Sequence, residues 1–358
     1  MTTTSTRITA RPSTMRSVRT GPVGMVEVVE LDRPVCGPRD AVVRIRACGI
    51  CGTDAEFLRM GGIPFGPGGS MIPLHLGHEA AGEIVELGAE VTDFQTGDHV
   101  VVSGHGHPSG LIGCGGALGG MREYLLVEDA ASGANLATVP ADLPFDIAAL
   151  NEPMAVALHC VNRSEARPED KVVVFGAGPI GLGVLIWLKL RGVENVVVAD
   201  VRTERLGTAL RLGADAVIDS GAEDVTARLT DEHGGAVNAL GQSRAATDIY
   251  IDAAGAPAVF DAVIAAAKWK AKMVMVAVQK PSATIDLAGM LRSELTLIAS
   301  QGYPTEIFEA APALAEHREK FAHLISHRIP FDEVDRAYAL ALTPGAAEKV
   351  IVTFDDPR

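Results

Sequence analysis

The chain of 358 residues has little of several things that would fix its class at once. Its five cysteines, Cys36, Cys48, Cys51, Cys114 and Cys160, are few, odd in number and unaccompanied by a signal peptide. A disulfide framework is thereby set aside, and a reducing compartment, the cytoplasm, is expected. No run reaches the ~18 consecutive apolar residues of a membrane span. Positive charge is not in excess either: 31 Lys and Arg stand against 45 Asp and Glu, for a formal net charge of -14. Nucleic acid and anionic membranes are therefore excluded as main partners. There is no internal repeat, low-complexity block or long linker, and no aromatic cage or basic pair that would mark a charged group on a substrate. The first fourteen residues, MTTTSTRITARPST, contain no acid and carry no amphipathic stripe, so they read as a disordered tail (1–14) rather than a transit peptide.

What the chain does have is concentrated between Lys171 and Asp200, beginning KVVVFGAGPIGLG. Val172, Val173, Val174 and Phe175 form the short β-branched run of a buried parallel strand. The run ends in Gly176-Ala177-Gly178-Pro179-Ile180-Gly181. In this G-x-G-x-x-G spacing the first glycine allows a tight turn, the second admits a pyrophosphate against the backbone, and the third lets helix and strand pack closely. Pro179 suits a helix's first turn, where no N–H is needed. A helix over Leu182 to Leu190 and a second strand, Asn195 to Asp200, follow. Asp200 stands 19 residues beyond Gly181, close to the ~20 expected of the carboxylate that bonds an adenosine ribose. These features predict a dinucleotide site at Gly176, Gly178, Pro179, Ile180, Gly181 and Asp200, with NAD favoured over NADP because the acid repels a 2′-phosphate. Arg202 and Arg205 could offset that repulsion, which makes Arg205 a further cofactor-binding candidate, although solvent-facing helix positions are their plainer reading.

The chain is too long for one comfortable core and suggests two domains. Residues 15 to 102 read as short strands broken by turns, and after Lys171 strands alternate with helices in the rhythm of a doubly wound parallel sheet. The β-rich half holds two groups of ligand-type side chains, Cys48-Gly-Ile-Cys51-Gly-Thr-Asp54 and His75-Leu-Gly-His78-Glu79, and Asn151-Glu152-Pro153 adds an acid. Thiolate, imidazole and carboxylate are the usual zinc ligands, and a catalytic zinc takes three from the protein while keeping a position for water or substrate. By spacing alone Cys48 and Cys51 suit half of a structural zinc site or a redox pair. The first lacks a second cysteine pair, and the second lacks its βαβ context.

The segments ACGICGTD, LGHEAAGEIVELG, GDHV, NEPMAVALH and GAGPIGLG, in this order, resemble the zinc-dependent branch of the medium-chain dehydrogenase/reductases over nearly the whole chain beyond about residue 15. Within that branch, Glu152-Pro153 is similar to the sorbitol, butanediol and threonine dehydrogenases. The resemblance implies an α/β protein: a GroES-like, mostly β catalytic domain (15–158 and 300–358) and a Rossmann NAD-binding domain (159–299). It implies Cys51 and His78 as zinc ligands, Glu152 as a third directly or through water, Glu79 as a neighbour able to enter the coordination shell, and Thr53 as the hydroxyl that relays the alcohol proton. Cys48 matches a position that is not a ligand. One catalytic zinc per chain is implied and no structural zinc, because only Cys114 stands in the Ser103 to Gly120 lobe where such members carry four cysteines. His105, His107 and Cys114 are a lesser metal alternative, since a loop this rich in glycine has little to fix them. Glu56 replaces the His that many polyol and threonine dehydrogenases carry, which leaves the final proton acceptor open.

The expected function is NAD-linked, zinc-dependent hydride transfer between the cofactor and an uncharged secondary alcohol, diol or polyol, with a sugar or threonine-type substrate as the alternative. A zinc-free quinone or enone reductase of the superfamily would lack the Cys51, His78 and Glu152 set. A non-enzymatic nucleotide-binding protein would show degraded ligands. Leu58, Met60, Ile63, Phe65, Leu118 and Tyr303 are candidate pocket residues. A homodimer or homotetramer is expected from relatives, with Leu295 to Ala299 as the associating edge strand.

Overall fold

A computed structural model describes residues 13–65, 70–279, 282–343 and 345–355. They form two compact units, one running to Ala149 and resuming at Arg328, the other spanning Leu150 to His327. Of the expected disordered tail, residues 1–12 lie outside the described residues, whereas Thr14 opens the strand Thr14–Thr20, which pairs antiparallel with Val26–Asp32. The unit boundaries also differ from those expected at 158/159 and 299/300. Residues 150–158 and 300–327 fall in the α/β unit because the helix Asn151–Ser164 packs on Pro179–Leu190 and on Glu306–Glu316.

The first unit is built on a sheet of seven strands around Ala41–Gly49. Val42, Val43, Ile45 and Cys48 of that strand are fully buried, so both its faces are covered. Glu79–Leu87 pairs along one edge. Tyr124–Val127 and Val350–Thr353 share the other, opposite residues 41–44 and 47–49. The register sets Gly49 against Glu79 and Cys48 against Ala80, which brings the end of the CGICGTD strand beside the start of the His78-Glu79 strand. A helix, Gly52–Met60, follows at once. The sequence predicts only strands and turns there, because GTDAEFLRM is too short and too polar to show a helical stripe.

The second unit carries six parallel strands in the spatial order Ala216–Asp219, Asn195–Asp200, Lys171–Phe175, Ile249–Asp252, Lys272–Met275 and Thr296–Ala299. Counted along the chain this is the 3-2-1-4-5-6 Rossmann order, whose growth reverses beside Lys171–Phe175, the crevice where such sheets take their ligands. Val172, Val173 and Val174 are fully buried, as a strand covered on both faces requires. Thr296–Ala299 is indeed an edge strand. A small hairpin, Gly235–Val237 with Ser243–Ala245, escapes prediction because each arm has three residues. No described helix is long and apolar enough to cross a membrane.

Candidate functional site

In the first unit Cys51 Sγ, a His78 ring nitrogen and a Glu79 carboxylate oxygen all lie within 4.8 Å of one another, the one such group among the described residues. Cys51 is the N-cap of Gly52–Met60, so its thiol sits at the positive end of a helix dipole. Asp54, fully buried, holds the arrangement: Oδ2 accepts from Cys51 N at 3.0 Å and Oδ1 from Gly77 N at 3.1 Å. The same Oδ1 is 3.8 Å from His78 Nδ1. One carboxylate thus fixes both the loop that carries the thiol and the turn that carries the ring. Gly77 has φ 87°, and a Cβ there would stand 2.6 Å from Met121 N, so the turn into His78 needs glycine. A Cβ on Gly49 would fall 1.8 Å from Glu79 Oε2; its absence makes room for the carboxylate.

Burial by itself disfavours a charged ring at His78, but Asp54 and then the Cys51 thiolate outweigh it and raise the ring well above its ordinary value. The pocket is therefore poised to hold positive charge. Sulfur, imidazole and carboxylate in one partly dry cluster fit a zinc ion. Thr53 Oγ1 lies 3.7 Å from Cys51 Sγ. Cys48 stays out of the cluster; it is fully buried, and burial drives its thiol far above the ordinary range.

Cys114, from the glycine-rich lobe, comes within 3.4 Å of His78 Nδ1, while His107 turns to the Ser103 carbonyl at 2.8 Å. These two do not gather with His105 into a metal group among the described residues. Glu152 is buried in the first turn of Asn151–Ser164, in the other unit, and is not one of the three converging residues. Leu58 is core rather than pocket lining, fully buried among Cys48, Leu76 and Tyr338. Sequence reasoning quoted Asp54 within the ligand-type segment but gave it no role of its own, and passed over Lys349, whose Nζ pairs with Glu79 Oε2. The first was visible as an acid three residues after Cys51, the position of a helix-capping acid; the second carries no local signal.

In the second unit the three glycines do three different things. Gly176 has φ 99°, with Ala253 and Ala254 backbone about it, and a Cβ on Gly181 would stand 1.8 Å from Gly176 O. Gly178 is open: only Arg205 Nη1, at 3.9 Å, would come near a Cβ there. Pro179 begins the helix Pro179–Leu190, whose next residues are Ile180 and Gly181. Asp200 ends its strand with Oδ2 accepting from Ala177 N at 2.6 Å and Oδ1 from Arg202 N at 2.8 Å. Gly176, Gly178, Asp200, Arg202 and Arg205 line a cavity of about 340 Å³, which Ser220 and Ala253 also face. Both arginines thus face the cavity rather than solvent alone, and Arg205 Nη1 is 4.0 Å from Asp200 Oδ2.

Residues 37–139 match the family model of the alcohol dehydrogenase GroES-like domain and residues 179–316 that of the zinc-binding dehydrogenases. The chain belongs to the zinc-dependent alcohol dehydrogenases of the medium-chain dehydrogenase/reductase family, enzymes that work with a nicotinamide cofactor. It is similar to (R,R)-butanediol dehydrogenase of Bacillus subtilis strain 168, at 30% identity over 91% of this chain and 96% of the relative. A crystal structure of 2R,3R-butanediol dehydrogenase from Bacillus subtilis matches with a TM-score of 0.82 and 28% identity, covering 96% of this chain and 100% of that one. D-altritol 5-dehydrogenase of Agrobacterium fabrum is 31% identical over 88% of this chain and 92% of its own length. A zinc-binding dehydrogenase of Sinorhizobium meliloti 1021, solved with NADP bound, matches with a TM-score of 0.78 and 28% identity over 96% of this chain and 100% of that one.

Proposed function

We propose that this enzyme oxidises an uncharged secondary alcohol, diol or polyol, or reduces the matching ketone, with NAD and one zinc ion. The observation that carries the reading is the convergence of Cys51, His78 and Glu79. The zinc would supply Lewis acidity that lowers the pKa of a substrate hydroxyl, and the nicotinamide would take the hydride. Cys51 and His78 hold the metal, Asp54 keeps thiol and ring in register, and Glu79 flanks them. Thr53 passes the alcohol proton on, since a hydroxyl donates and accepts at once. The assignment of Glu152 as a further ligand rests on the sequence resemblance, as does association through the edge strand at Leu295 to Ala299; a cytoplasmic location rests on the small, odd number of cysteines.

In the second unit Gly178 leaves backbone open to the pyrophosphate, and Asp200 takes the ribose hydroxyls. Two backbone N–H groups keep Asp200 in place, so its negative charge stands where a 2′-phosphate would have to enter. That supports NAD over NADP. The related butanediol and altritol enzymes support a diol or polyol. The test is NADH production over a panel of diols and polyols, before and after chelation. Full turnover in metal-stripped protein, or turnover with NADP equal to that with NAD, contradicts the respective part of the reading.

A further inference from the structure

We propose that the first unit binds a small monovalent anion, of the chloride class, against the guanidinium of Arg122. Arg122 is 3% exposed, and its Nε and Nη2 are enclosed without a hydrogen-bond partner. The neighbouring arginines show what it lacks. Arg16 pairs with Glu123 and Asp332, Arg19 with Glu27, and Arg33 with Glu86. Among the described residues no acid answers Arg122 in this way: burial alone acts on the guanidinium and lowers it to about 10, so it stays charged at neutral pH. An enclosed charge without a counter-charge is among the most destabilising features a folded chain can carry.

The surroundings of Arg122 suit an anion. Ser17, fully buried, stands opposite Arg122 in an isolated antiparallel bridge, and Arg19 stands opposite His75 in another. Ser17 Oγ lies 3.1 Å from His75 Nδ1. Whichever of these two donates to the other, one polar hydrogen of the pair is left to give. His75 itself adds no charge, because burial first, then Arg122 and then Arg19, push its ring down to about 4. Of the two arginines that reach His75, Arg19 has its acid and Arg122 has none, so the local potential is positive. The enclosure of the guanidinium restricts the occupant to the size of a halide, since a phosphate would have to force the strands apart. The location lies directly behind the turn that presents His78: Met121 N donates to Leu76 O at 2.9 Å, and Gly120 N to Gly77 O at 2.6 Å. An anion held here braces that turn from the side away from the metal cluster.

The test follows thermal unfolding of the full-length protein in saturating NADH, with chloride replacing the bulkier isethionate at constant ionic strength. The wild-type midpoint should rise saturably, by about 3 °C between no chloride and about 200 mM. Arg122→Lys, which keeps the charge, should keep a rise. Arg122→Met, which keeps the length of the side chain and drops the charge, should show none. The Met variant retains the metal cluster and the glycine loop, so chloride acting at either of those moves both proteins alike. Wild-type crystals grown in bromide should show anomalous scattering beside the guanidinium. A wild-type midpoint that ignores chloride, an equal response in wild type and Arg122→Met, or ordered water alone at Arg122 in the crystals overturns the proposal. Bromide at Arg122 with equal responses marks an adventitious ion only, and overturns it too. If Arg122→Met does not fold, a saturable wild-type rise together with bromide at the guanidinium supports the proposal, and the absence of either overturns it.

Discussion

At the metal cluster, position is set by charged side chains acting on one another; at the glycine loop, it is set by side chains that are missing. Asp54 pins the Cys51 loop and the Gly77 turn, and Lys349 pins Glu79 to the backbone of Ile50. Gly176, Gly178 and Gly181 contribute bare backbone, and the charges, Asp200 with Arg202 and Arg205, stand beside that loop rather than in it. The contrast fits what each site must hold. A small divalent ion is recognised by ligand atoms that need firm orientation, whereas a pyrophosphate is met by backbone N–H groups that need close approach. It follows that the first site should fail by losing a charge and the second by gaining a carbon.

The largest effect is expected at Cys51. Cys51→Ser should leave a folded protein that no longer retains zinc, with turnover down by about a thousandfold or more, since the Lewis acid supplies several kcal/mol. Metal content and circular dichroism on the same sample check it; zinc retained at one per chain would break the picture. Gly181→Ala is its counterpart. The added methyl meets a backbone oxygen that cannot swing away, so strand and helix must part, at about 1–3 kcal/mol and with loss of NAD binding. Chemical denaturation and NADH fluorescence would register both.

Asp54→Asn sharpens the comparison, because it keeps shape and removes charge. Zinc affinity should fall by about 10- to 100-fold, the usual penalty for losing a partner that orients a ligand. Asp200→Asn, the same change in the other unit, should leave NAD binding nearly intact. It should move the NADP:NAD ratio of kcat/KM upward by about tenfold, because Arg202 and Arg205 already face the cavity. Zinc titration and paired cofactor kinetics decide these two.

How far each site was legible in the sequence follows from the same contrast. The glycine loop is a local object: strand, turn, helix and acid lie within thirty consecutive residues, and each glycine's task is readable from its place in the spacing. Cys51 and His78 were readable as ligand types, but only the 49–79 register of two antiparallel strands brings them together. Lys349 lies 299 positions from the carbonyl it binds, so no window of sequence could reveal it. Cys114 drew notice as the single cysteine of the glycine-rich lobe and as a lesser metal candidate with His105 and His107, and its approach to His78 instead depends on how that lobe folds. The unit boundaries were misplaced for a related reason. Asn151–Ser164 follows the β-rich half along the chain but buries its apolar face against the helices of the α/β unit.

The smallest expected effect concerns pH. His233 is fully enclosed in the second unit, with Nδ1 2.7 Å from Thr247 Oγ1. Burial first, and the nearby Lys171 ammonium next, push its ring down to about 4. An unfolded chain takes up that proton near pH 6.5. Between these values the unfolded state binds more protons, so stability rises with pH: it is complete above about 6.5 and falls as the solution is acidified towards 4. The contribution at this one ring is about 3 kcal/mol. In the first unit His75 is likewise depressed to about 4, and burial also lowers His105 and His107, while the raised ring of His78 in metal-free protein acts the other way. His233 should therefore make the α/β unit sensitive to acid. Hydrogen exchange at pH 7 and pH 5 should show faster opening of the Lys171–Phe175 and Ile249–Asp252 strands at the lower pH, and His233→Asn, which removes the titrating ring, should flatten that dependence. An unchanged pH dependence in the variant would assign the acid sensitivity to other groups.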